Sequence, residues 1–212
     1  MTERRPIAAR STRAADRVTR LLLTAGVAPN AISAASIGFG LGAGVALGTV
    51  PSLPPGQAAA AFVAAGAAIQ GRLLCNLFDG MVAVEGKQSS VTGELWNDLP
   101  DRVSDTAILV GAGFAASAPS LGWGAAVLAL HVAYVRVLGR AVGARTHFIG
   151  PMAKQHRMAA LTAGCVLAAV GAMFGVHAAV MAWTLAVVAV GCAVTFARRL
   201  RAVALDLHAG AV

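Results

Sequence analysis

Carboxylates are scarce in this chain, and most of them are gathered in one place. Of nine Asp and Glu residues, six lie between Asp79 and Asp105. The stretch runs Asn76-Leu-Phe-Asp79-Gly80-Met-Val-Ala83, then Gly93-Glu94-Leu-Trp-Asn97-Asp98-Leu-Pro-Asp101, then Asp105. Such oxygen ligands suit hard divalent cations, Mg²⁺, Mn²⁺ or Ca²⁺, and Mg²⁺ typically combines a few carboxylates with substrate phosphates. Asn76, Asp79, Gly80 and Ala83 fall at i, i+3, i+4 and i+7, one face of a helix. Asn97, Asp101 and Asp105 fall at i, i+4 and i+8, one face of another. Two neighbouring helices can therefore aim oxygen atoms into a shared gap, where Gly80 and Gly93 would let a phosphate or nucleotide approach the backbone. The competing account is a solvated loop whose charges do nothing in particular; the two helical registers and the concentration of acid weigh against it.

The elements that must position these residues are apolar. Hydrophobic residues make up 58% of the chain and charged residues 12%, with a mean hydropathy of +0.72, far from a soluble domain. Carboxylates at a membrane boundary are costly unless paired, hydrated or bound to cations, which makes the cluster a functional candidate. The expected fold is an all-α integral membrane protein, a bundle of six transmembrane helices behind an amphipathic amino-terminal interfacial helix. Arg13, Arg17 and Arg20 alternate with Ala14, Val18 and Leu21 at helical spacing and supply that first helix. Spans are predicted over 31–50, 57–75, 103–117, 121–142, 158–174 and 178–197. A span needs roughly 20 residues, so the third must borrow length from the polar stretch before it. The division predicted is 1–28 as tail and interfacial helix, 29–202 as the membrane domain and 203–212 as a tail. No cleavable leader is expected, because the first long apolar run begins only near Asn30.

A net charge of +8 would suggest nucleic acid in a soluble protein. Here the basic residues follow topology instead. Segments 51–56, 118–123 and 175–177 carry no Lys, Arg, Asp or Glu, whereas the opposite connections carry Lys87 and Arg102, then Arg136, Arg140, Arg145, Lys154 and Arg157, then Arg198, Arg199 and Arg201. Positive-inside bias puts both termini and the acidic site in the cytoplasm and predicts an even number of spans. Membrane lipids are the expected partners, with no nucleic acid, in a multi-pass protein of the bacterial inner membrane. Cys75, Cys165 and Cys192 show no metal spacing and are expected as small core residues, and Trp96, Trp123 and Trp183 as interface anchors. Arg136, Arg140, Arg145, Lys154 and Arg157 could together hold a phosphorylated acceptor, since arginine matches phosphate through its planar fork. For any single one of them, topology and attraction to anionic lipid are the stronger explanation.

The acidic stretch resembles the signature of the CDP-alcohol phosphotransferase family, Asp-x2-Asp-Gly-x2-Ala-Arg, about eight residues, then Gly-x3-Asp-x3-Asp. Asn76, Asp79, Gly80, Ala83, Gly93, Asn97 and Asp101 keep its spacing at every element. Pro29, Asn30 and Ser33 resemble the family's Pro-Asn-x-x-Thr/Ser element at the start of the first span. The resemblance implies transfer of a phosphatidyl group from a CDP-alcohol such as CDP-diacylglycerol to an acceptor alcohol, with release of CMP. It implies one or two Mg²⁺ or Mn²⁺ ions held by Asn76, Asp79, Asn97 and Asp101, with Asp101 also the general base. Gly80, Ala83 and Gly93 would line the nucleotide, with Pro29, Asn30 and Ser33 nearby. A homodimer fits both the family and the small-residue spans.

Three positions depart from the pattern. Asn76 and Asn97 stand where the family has carboxylates, and Val84 stands where it has an arginine. An amide can offer a carbonyl oxygen to a cation but no negative charge, so a second ion should bind more weakly. Glu94, Asp98 and Asp105 are the candidates to compensate. Two expectations remain open: a variant transferase, and a catalytically impaired member that binds nucleotide lipid or acts as a scaffold.

Overall fold

The computed structural model describes residues 12–86 and 92–210, without the side chains of Glu94 and Asn97. Seven α-helices and one short 3₁₀ turn make up the described elements, in the order α1 (Arg13–Thr24), α2 (Pro29–Thr49), the turn Val50–Ser52, α3 (Pro55–Glu85), α4 (Gly93–Ala115), α5 (Pro119–Ala141), α6 (Lys154–Ala172) and α7 (His177–Gly210). No strand occurs among the described residues.

Local chemistry sets these boundaries. Thr12 caps α1, its hydroxyl accepting from the Ala15 amide at 3.3 Å. Gly26, at φ 69°, turns the chain out of α1 in a conformation that glycine adopts without strain. Pro29, Pro55 and Pro119 open α2, α3 and α5, where the missing amide hydrogen costs nothing. Pro100 lies inside α4, which continues through it.

α2 packs most extensively on α4 and α3, and α3–α6, α4–α5, α5–α7 and α6–α7 close the bundle. Leu47, Phe62, Ile69, Ile108, Leu109, Leu161, Met181 and Leu185 form its fully buried interior. Glycine sets the closest approaches: a Cβ added to Gly113 would sit 2.7 Å from the Cα of Gly122. Gly44 meets the backbone of Ala107 in the same way. Such small-residue contacts let helices associate by van der Waals packing. The outward faces are apolar as well, with Val45, Val63, Val170, Trp183 and Val190 largely exposed, a surface suited to lipid and far larger than an ordinary soluble patch. α1 lies against α3 through buried Thr19, whose hydroxyl donates to the Ala15 carbonyl and approaches the Met81 sulfur at 3.7 Å.

The all-helical expectation holds. Among the described residues, four stretches are long and apolar enough to cross a membrane: Pro29–Ser52, Pro55–Glu85, Pro119–Ala141 and His177–Gly210. The other two predicted spans fall on α4 and α6, which do not meet that standard because their first turns are charged. α4 carries Asp98, Asp101, Arg102 and Asp105, and α6 begins with Lys154 and Arg157. The helix over the third predicted span takes in the polar stretch before it, since α4 starts ten residues before the predicted 103. Residues 203–210, assigned to a tail, continue α7.

Candidate active site

Charge in the bundle interior is organised around Arg72. Its side chain is fully buried on α3, and its guanidinium lies 3.1 Å from Asp101 and 2.8 Å from Asp105, both on α4. Arg157, on the first turn of α6 and also buried, pairs with Asp105 and extends toward the Met152 carbonyl. Lys154, one turn earlier on the same helix, places its ammonium 2.5 Å from each oxygen of Asp101. Asn76, one turn after Arg72 on α3, donates its side-chain amide to Asp101 Oδ1 at 3.2 Å. Three cations thus meet two carboxylates at close range where α3, α4 and α6 come together, and Arg102 adds a fourth at 3.9 Å from Asp101. Burying ions is tolerable only when partners and hydrogen bonds replace water; here each ion has an oppositely charged partner, while Nε of Arg72 and Nε of Arg157 are buried with no hydrogen-bond partner among the described residues.

Asp98, one turn before Arg102, joins a second and more exposed group. It receives Arg136 of α5 at 2.7 Å and Arg102 at 3.3 Å. Arg199 of α7 is buried and donates to the carbonyls of Ile149 and Val132, at 3.0 and 2.9 Å, tying the α5–α6 connection to the bundle. These groups surround a cavity of about 400 Å³ lined by Asn76, Asp98, Asp101, Arg102, Arg136, Lys154, Arg157 and Arg199 over walls of Leu73, Ala129, Val132 and Phe148. A larger groove of about 720 Å³ runs elsewhere, along α2, α4 and α5, among Leu41, Val45, Phe114 and Trp123. It shares only Arg102 with the charged cavity and holds none of its acids.

Asp79, one turn further along α3, is buried as well, and Ser33 of α2 donates its hydroxyl to its Oδ2 at 2.7 Å. The predicted start of the first span and the predicted signature therefore meet. Pro29 is half-buried and Asn30 exposed on the first turn of α2, while Gly80, Ala83 and Gly93 are all partly accessible. Asn97 and Glu94 sit on the first turns of α4, and their side chains lie outside the described residues. The basic group divides. Arg136, Lys154 and Arg157 line the cavity, whereas Arg140 and Arg145 are exposed and outside its wall. The Arg145 backbone amide donates to Asp206 at 2.9 Å, as does His147 Nε2 at 2.8 Å.

Arg72 and Arg199 are the residues that sequence reasoning missed. Arg72 had a readable signal: it is a charge inside an apolar run, four and seven residues before Asn76 and Asp79 and hence on their helix face. Arg199 had none, because it sits in a basic run at the end of an apolar segment and looks like its neighbours Arg198 and Arg201.

A pair of divalent ions, as the family signature implies, needs several anionic or neutral oxygens pointing into one gap. Among the described residues no group of three or more Asp, Glu, His or Cys converges in that way. Asp101 is already met by Lys154, Arg72 and the nitrogen end of Asn76, and Asp105 by Arg72 and Arg157. The described side chains therefore do not fit two divalent ions.

No family model matches the chain, and no curated protein matches it. Its fold is nevertheless a known one: its structural neighbours are CDP-alcohol phosphotransferases, the class that the signature resembles. Those neighbours include structures of phosphatidylinositol phosphate synthase from Mycobacterium tuberculosis. The synthase with CDP-DAG bound superposes with a TM-score of 0.70 at 19% identity, over 88% of this chain and 92% of that one. Its complex with manganese and citrate gives 0.71 at 18% identity, over 88% and 87%. The apo form gives 0.69 at 19%, over 88% and 94%. At such identities the likeness is one of fold.

Proposed function

We propose that this protein is a membrane-embedded transferase that moves a phosphatidyl or related phospho-alcohol group from a CDP-alcohol, such as CDP-diacylglycerol, to an acceptor alcohol. The observation that carries this is a single cavity in which Asp101, the last position of the signature, stands among Lys154, Arg102 and Arg136. The whole-chain likeness to a synthase solved with CDP-DAG supports it. Six spans, one on each of α2 to α7, belong to this proposal, and the positive-inside pattern supports a cytoplasmic site in a bacterial inner membrane. A homodimer belongs to the same proposal.

In the reaction the acceptor oxygen bonds to the phosphorus that carries the lipid, the bond from that phosphorus to CMP breaks, and the acceptor proton passes to Asp101. Oδ1 of Asp101 receives Arg72, Asn76 and Lys154, while Oδ2 has hydrogen-bond distance only to Lys154 among the described residues. Oδ2 is therefore the oxygen with a lone pair left for the proton, and a base must lie within hydrogen-bond reach of the hydroxyl it serves. Lys154, Arg102 and Arg136 offset the charge of the diphosphate and of a phosphorylated acceptor, an acceptor class that the synthase's name supports. Asp79, held by Ser33, and Gly80, Ala83 and Gly93 flank the nucleotide. Support for a divalent ion comes from the synthase's complex with manganese.

A second function, binding nucleotide lipid or scaffolding without turnover, is favoured by one observation: the ammonium of Lys154 caps both oxygens of the candidate base. Purified protein given CDP-diacylglycerol and a panel of acceptor alcohols, with and without Mg²⁺ or Mn²⁺, separates the two. Acceptor-dependent CMP release is the expected result. Binding of the CDP-lipid with no CMP from any acceptor would establish the second function and remove the first.

A further inference from the structure

We propose that Lys154 takes the place of a divalent cation at Asp101, so that the positive charge facing the diphosphate of a nucleotide lipid comes from the protein itself. This rests on the transferase proposal only in treating Asn76 to Asp101 as the counterpart of a metal-binding signature. The ammonium lies 2.5 Å from both oxygens of Asp101, a position in which a bound cation would bridge the same carboxylate. Lysine is a compact point charge with three donors, so it can hold Asp101 and still present a proton to the cavity that it lines. Its side chain is 26% exposed, against 0% for Arg72 and 1% for Arg157. Of the cations that touch Asp101 or Asp105 at hydrogen-bond distance it alone keeps appreciable access to a ligand; Arg102, 20% exposed, stands further off at 3.9 Å from Asp101.

The amide at position 76 belongs to the same arrangement. Asn76 turns its nitrogen to Asp101, a contact that a carboxylate could not make. Two amides in place of two carboxylates, at 76 and 97, remove two negative charges, the amount that one divalent ion would neutralise. Arg72, Lys154 and Arg157 already outnumber Asp101 and Asp105, and a further doubly charged ion would be repelled by that excess at short range.

Mn²⁺ titration of the detergent-solubilised full chain, followed by the electron paramagnetic resonance signal of free Mn²⁺, tests this without reference to turnover. Wild type and Asp101→Asn are expected to bind the same amount of Mn²⁺. Lys154→Gln is expected to raise Mn²⁺ affinity about tenfold or more, in the range by which neighbouring groups tune metal sites, and Lys154→Arg to leave it unchanged. Loss of a tightly bound Mn²⁺ in Asp101→Asn, or a folded Lys154→Gln chain with unaltered affinity, overturns the proposal. Should Lys154→Gln fail to fold, the comparison of wild type with Asp101→Asn decides it alone. CMP release is read separately, so a chain that turns over yet binds metal through Asp101 would refute the role of Lys154 and leave the transferase standing.

Discussion

Arg72 of α3 and Asp105 of α4 face each other in the bundle interior at 2.8 Å, one side chain fully buried and the other 3% exposed. The pair joins the helix that carries Asn76 and Asp79 to the helix that carries Asp101, so the relative register of the two halves of the signature depends on it. Removing Arg72 takes a cation from both buried carboxylates at once and leaves Asp105 only Arg157 at close range. Arg72→Met is therefore expected to destabilise the protein by about 3–5 kcal/mol, read as a lowered unfolding temperature in detergent. Arg136→Met, at the half-exposed pair with Asp98, should cost only about 0–1 kcal/mol. Equal losses in the two variants would argue against an organising role for Arg72.

Asp101→Ala is expected to reduce CMP release by about two orders of magnitude or more, the usual contribution of a positioned base. Size-exclusion behaviour in detergent establishes that the variant is folded. Undiminished turnover in a folded variant would show that another group accepts the proton.

Ser33→Ala removes the hydroxyl that donates to Asp79 at 2.7 Å between α2 and α3. Leaving a buried carboxylate short of a donor costs about 1–3 kcal/mol, so thermal stability should fall, and Ser33→Thr should restore most of it. If alanine and threonine behave alike, the contact does not hold Asp79.

At Gly44 a side chain would run into the Ala107 carbonyl across the α2–α4 crossing. Overpacking of this kind typically costs about 1–3 kcal/mol, and Gly44→Val is expected to lower the unfolding temperature accordingly. Gly48→Val, where nothing lies within 4 Å, is the control and should change little.

The basic residues separate by position. Arg136 lines the cavity and Arg140 does not, so Arg136→Ala should weaken a phosphorylated acceptor about tenfold, as expected for one charge-assisted contact, whereas Arg140→Ala should stay near wild type. The measurement is the KM for the acceptor in the CMP assay. If Arg136→Ala, Arg140→Ala and Arg157→Ala all leave it unchanged, this group does not bind the acceptor.

Much of this protein is legible in its amino-acid order. Apolar runs bounded by Pro29, Pro55 and Pro119 mark helix starts, because proline is suited to the first turn, and α1 follows from arginines recurring at the helical period. The spacing of Asn76, Asp79, Asn97 and Asp101 also places them on two helix faces, since 3.6 residues per turn is a local property. Local periodicity cannot say which distant side chain will stand opposite a given face. Lys154 is 53 positions from Asp101 and Arg157 is 52 from Asp105, so only the tertiary arrangement of α3, α4 and α6 brings these cations to the acids. The same packing sends Arg140 and Arg145 outward although they belong to the same basic group in sequence. The acidic cluster could thus be recognised from its spacing, whereas its neutralisation by Arg72, Lys154 and Arg157 emerged when three helices closed on one another, because Coulomb interactions depend on distance in space and not along the chain.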